Sequence, residues 1–83
     1  MGRAFTNDRE LAYAYTVAEE AIRVNGKIKI GNKFYHVLGH RFIHKEQAVR
    51  LRNMIDQVGY YMARVYRVSD FDPRYDVAVR RKK

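Results

Sequence analysis

Three histidines, His36, His40 and His44, recur at every fourth position. On a single helix that spacing lines up imidazoles as metal ligands. Gly39 interrupts the run, a hairpin is predicted over its first part, and no thiol or carboxylate completes a ligand set, so no metal site is expected. Ser69, the single serine, adjoins Asp70 but has no histidine placed by sequence to activate it. Asp70, Asp72 and Asp76 gather acid around Pro73, as turn residues do. The five glycines are dispersed, so no glycine-rich phosphate loop occurs. Neither enzyme activity nor a cofactor is expected.

The residue types that remain are cations and flat rings. Over 83 residues, 17 Lys and Arg face 9 Asp and Glu, a formal charge of +8. The excess is uneven. Residues 27–67 carry nine cations against Glu46 and Asp56, whereas residues 1–26 sum to −1 and residues 68–83 to +2. A positive field localised in this way attracts polyanions and steers their association. Zero cysteine excludes a disulfide framework and thiol chemistry, and is compatible with a reducing compartment. No apolar run approaches a membrane span, and Asp8 and Glu10 stand where a secretory leader needs apolar residues. The expectation is a basic, cytoplasmic protein with no membrane partner.

The elements that must position these groups follow from periodicity. Asn7 and Asp8 are helix-start residues and Asn25-Gly26 a stop, with Leu11, Ala14, Tyr15, Ala18, Ala21 and Ile22 between them at helical spacing. Tyr13, Val17 and Val24 widen that stripe beyond half the circumference, which predicts either a deeply embedded helix or self-association through those three residues as a homodimer. Lys27 to Ile30 and Lys33 to Leu38 alternate around Gly31-Asn32, the pattern of a β-hairpin. His44 to Val58 reads as a second helix ended by Gly59, Tyr61 to Val68 as a strand, Asp70 to Arg74 as a turn, and Tyr75 to Val79 as a last strand. The fold class is α+β: one αββαββ domain over residues 1–79, with a four-stranded, mainly antiparallel sheet and two helices packed on one face. Residues 80–83 read as a basic C-terminal tail.

With both helices on one face, alternation assigns Ile28, Ile30, Tyr35, Val37, Ala63, Val65, Tyr75, Val77 and Val79 to the core. Lys27, Lys29, Phe34, His36, Arg64 and Tyr66 then share the open face. Cations neutralise phosphates and rings stack on unpaired bases. The leading expectation is therefore a nucleic-acid-binding protein, for DNA or RNA, using Lys27, Lys29, Lys33, Phe34, Arg64, Tyr66 and Arg67, with Arg80 and Arg81 adding charge. The alternative is a small protein-interaction module, of the kind a phage regulator or inhibitor provides, docking on an acidic protein surface.

The run from Phe34-Tyr35 through Glu46-Gln47-Ala48, Leu51 and Gly59-Tyr60 to Val65 is similar to one half of a SPOR peptidoglycan-binding repeat. Leu38 stands where that family carries a glutamine and Gly39 falls out of register, so the chain is not assigned to it. The aromatic strand motif of the RNA-recognition fold is absent as well.

Overall fold

Asn7 starts the first helix as its residue type predicts. In a computed structural model describing residues 7–82, α1 spans Asp8–Val24. The Asn7 side chain accepts from the Glu10 N–H at 2.8 Å, and the Glu10 carboxylate accepts from the Asn7 N–H at 3.3 Å. This reciprocal cap contributes about 1 kcal/mol. At the other end the Asn25 side chain donates to the Val37 carbonyl at 2.7 Å and ties the helix to the sheet.

Strands β1 (Lys27–Ile30) and β2 (Lys33–Val37) form the expected hairpin, with Gly31 at φ 64°, a conformation glycine adopts without steric cost. Helix α2 runs Lys45–Val58 and stops at Gly59, left-handed at φ 93°. Strands β3 (Tyr61–Arg67) and β4 (Tyr75–Arg81) close the chain. The sheet is antiparallel throughout, in the order β1-β2-β4-β3, so β4 lies inside and β3 forms an edge.

Both helices pack on one face of the sheet. Ala14, Ala18 and Ala21 of α1 and Leu51 and Ile55 of α2 meet Tyr61, Ala63, Val77 and Val79. The alanine row lets α1 approach closely, and it corrects the expectation of a deeply embedded helix. Tyr13 and Val24 remain 48% and 64% exposed, while Val17 packs against the core.

Two further expectations change. Pairing continues through Arg81, and the Lys82 N–H donates to the Tyr60 carbonyl at 3.0 Å. Arg80 and Arg81 are therefore strand residues, not the start of a tail, and the boundary placed after residue 79 moves; Lys83 lies outside the described residues. The faces of the first hairpin are also exchanged. His36 pairs with Val79 of the core, and Val37 with Ala78. Cross-strand partners share a face, so Lys27, Lys29, Phe34 and His36 lie on the helix side. Ile28, Ile30, Tyr35 and Val37 turn to the opposite, far face. Alternation says which residues travel together; the register of β2 against β4 says which face they reach, and a one-residue shift reverses it. The helix side is fixed by Leu38, one residue beyond β2, which enters the core while its N–H donates to the Val77 carbonyl at 2.9 Å.

Asp76 departs from its turn reading most. It lies within β4 and is 1% exposed. Its carboxylate accepts from the N–H groups of Gly39 (2.7 Å), His40 (3.1 Å) and Val77 (2.8 Å), and from the Tyr66 hydroxyl at 3.4 Å. Removing the acceptor leaves buried donors unpaired, at about 1–3 kcal/mol each for those that stay dry. Asp76→Ala is expected to lower unfolding free energy by about 2–4 kcal/mol in urea titrations. Asp76→Asn, which keeps one carbonyl acceptor, should cost less.

Candidate nucleic-acid interface

The far face carries Lys33, Tyr35 and Val37 from β2, Met62, Arg64 and Tyr66 from β3, and Asp76, Ala78 and Arg80 from β4. No helix covers it. Tyr35 is nonetheless only 2% exposed. The Arg80 guanidinium carbon sits 5.5 Å from the Tyr35 ring centroid, Ile28 pairs with Tyr35 from β1, and Arg64 lies beyond Ala78 on the neighbouring strand. Arg64, and then Arg80, interact with the Tyr35 hydroxyl and hold it below the ordinary phenol range. Burial, and next the Asp76 charge, push Tyr66 the other way, to about 12.

Among the nine nominated residues, the fold brings Lys33, Arg64, Tyr66 and Arg80 onto this face and separates the others from it. Lys27, Lys29 and Phe34 occupy the helix side of the first hairpin. There the Lys29 ammonium lies 6.0 Å from the ring centroid of Phe34, which is 59% exposed. Phe34 and Tyr66 therefore lie on opposite faces, not on the one open face expected for both. Arg67 pairs with Tyr75 at the end of β3 opposite Arg81. Arg81 is engaged, its guanidinium 2.6 Å from the Glu19 carboxylate, which also accepts from the Tyr61 hydroxyl. The Tyr61 hydroxyl holds Glu19 below the usual carboxylate range, with Arg81 adding to the effect.

Tyr35 is the residue sequence reasoning missed at this site, having been assigned to the core. The available signal was the period of β4. Extended beyond Val79, it places Asp76, Ala78 and Arg80 on one face, and an arginine entering that face needs a partner. The three histidines diverge: His36 contacts the Asn25 carbonyl at 3.0 Å, His40 stacks on Phe42, and His44 precedes α2. Among the described residues no three His, Asp or Glu side chains gather as metal ligands, and no helix is long and apolar enough to cross a membrane.

A second surface stands at one end of the sheet. The loop 69–74 holds Phe71 98% exposed, while the Ser69 hydroxyl oxygen accepts from the N–H groups of Phe71 and Asp72. Arg74 grips Asp72 with two 2.8 Å bonds and keeps its carboxyl near 2, with Arg41 3.8 Å away.

No protein-family model, curated protein or solved structure matches this chain.

The tyrosines supply a pH signature of the far face. Tyr35, with a lowered value, should ionise before Tyr66. The signs are opposite: Tyr35 adds stability as pH rises through its lowered value. The Tyr66 contribution is complete below about 10 and is lost as pH rises through about 12. In a phenolate-absorbance titration, Tyr35→Phe should remove the earlier of the two transitions and Arg64→Gln should move it upward. An unmoved transition in Arg64→Gln would place the guanidinium away from the phenol.

Proposed function

We propose that this chain is a cytoplasmic, non-enzymatic nucleic-acid-binding protein that receives a strand across the far face of its sheet. One observation carries this reading: Lys33, Arg64 and Arg80 share a helix-free face with Tyr66, and neither Arg64 nor Arg80 has a carboxylate within ion-pair distance among the described residues. Arg41, Arg52, Arg74 and Arg81 each lie within 4 Å of an acid, and what sets Arg64 and Arg80 apart from the other unpaired arginines is the helix-free face they share with Tyr66. Unneutralised arginines beside a ring suit a polyanion that also offers stacking surfaces. Lys27 and Lys29, on the reverse of the hairpin, extend the positive field around its edge.

Counterion release makes such binding steeply salt-dependent. Three phosphate contacts to a single strand imply a slope of about −2 in log affinity against log salt. Fluorescence anisotropy on single- and double-stranded DNA and RNA should show this slope, and Arg64→Glu should weaken binding at least about tenfold. Arg52→Glu, on α2, should change it by no more than about twofold. Affinity that stays constant from low to moderate salt would sink the reading.

Phe71 favours a second reading, as an interaction module for an acidic protein surface. A fully exposed ring on a hydrogen-bonded loop is already ordered for insertion into a partner's pocket, and Arg41 and Arg74 stand where rim charges steer association. A stoichiometric protein retained from nuclease-treated lysate by the wild type, and lost with Phe71→Ala, would favour this reading over the first.

A further inference from the structure

We propose that Arg64, Arg80 and Tyr35 form a built site for a single phosphate group, the point at which the sheet grips a polynucleotide backbone or a phosphorylated terminus. The inference depends on the nucleic-acid reading for the source of the phosphate, and on the geometry of three strands for the site itself.

The register places the groups. Arg80 follows Val79 and Ala78, which pair with His36 and Val37, so Tyr35 lies opposite Arg80 across β2 and β4. On the other side of β4, Arg64 pairs with Ala78. The alanine methyl is the whole side chain between Val37 and Arg64, and it lies fully buried beneath the groups around it. One guanidinium group thus covers the Tyr35 ring, and a second stands one strand further along the same face. Like charges brought together in this way repel unless an anion is shared between them.

The expected internal anion does not fill that role. Asp76 stands on the same face, but its oxygens are occupied by three backbone N–H groups and the Tyr66 hydroxyl. Arg80 is also short of an acceptor, because its Nε–H is buried without a hydrogen-bond partner while Nη1 donates to the Arg81 carbonyl at 3.3 Å. A tetrahedral oxyanion matches what is present: two guanidinium groups on one face with no carboxylate partner among the described residues, the Arg64 fork exposed and the Arg80 Nε–H unpaired.

Inorganic phosphate tests the site directly, titrated against chloride at matched ionic strength. Phosphate should shift the Nε–H resonances of Arg64 and Arg80 and move Tyr35 ionisation back toward higher pH, because the bound anion offsets the guanidinium charge. Arg64→Gln should abolish both responses and weaken oligonucleotide binding about tenfold. Oligonucleotides with and without a 5′-phosphate separate the sources. Equal affinity assigns the site to internal phosphodiesters, and tighter binding of the phosphorylated form assigns it to a terminus. If phosphate leaves both arginine signals and Tyr35 unmoved, the site is overturned, even where oligonucleotides still bind. If phosphate moves them but no nucleic acid binds, the site stands and the nucleic-acid reading falls.

Discussion

The Asp76 carboxylate, buried within an interior strand, fixes much of what the other side chains can do. Its oxygens take the N–H groups of Gly39 and His40, where the chain leaves β2 to begin the crossing toward α2. That junction needs acceptors because Gly39 adopts a left-handed turn at φ 80° and its backbone cannot join the ladder. With the junction pinned to β4, β2 is held in the register that sends Leu38 into the core and Tyr35 to the opposite side. The face of the hairpin, the burial of Tyr35 and the position of Arg80 follow from that one attachment. The same bonds occupy the acid's oxygens, and among the described residues no arginine lies within ion-pair distance of it.

The charge pattern of the molecule is accordingly divided. Near the helices and in the loop 69–74, four arginines meet acids: Arg81 with Glu19, Arg74 and Arg41 with Asp72, Arg52 with Asp56. Exposed pairs of this kind contribute little to stability, about 0–1 kcal/mol each, and mainly orient side chains. On the far face Arg64 and Arg80 meet a phenol instead. A net charge of +8 does not distinguish these arrangements. The difference lies in which unpaired cations the register gathers on one helix-free face.

Periodic features were legible in the sequence. The ends of α1 follow from Asn7 and Asn25-Gly26, the hairpin from Gly31-Asn32, and the end of α2 from Gly59, because each is set by a residue's own backbone preference. The candidate site was legible only in pieces. Arg64, Tyr66 and Lys33 were singled out for residue type, but Phe34, Lys27 and Lys29 were placed beside them by an alternation that has no direction. What decides the direction is the pairing of His36 with Val79, a contact between distant segments that no local pattern encodes. Asp76 was obscured for a related reason: two aspartates and a proline precede it, and grouping it with them by composition conflicts with the strand that begins at Tyr75.

The strand order has a consequence for how the chain reaches this state. The inner pair, β2 with β4, joins residues more than forty positions apart, and it is the seam between the first hairpin and the rest of the sheet. Until β4 has been synthesised, α1 with its hairpin and α2 with β3 have no common strand to hold them in one sheet. Closing that long loop costs chain entropy before the core rewards it. Completing the sheet thus requires a non-local pairing, and the same pairing brings Arg80 to Tyr35. The basic face exists only in the completed molecule, so an incomplete chain would present its cations without their geometry.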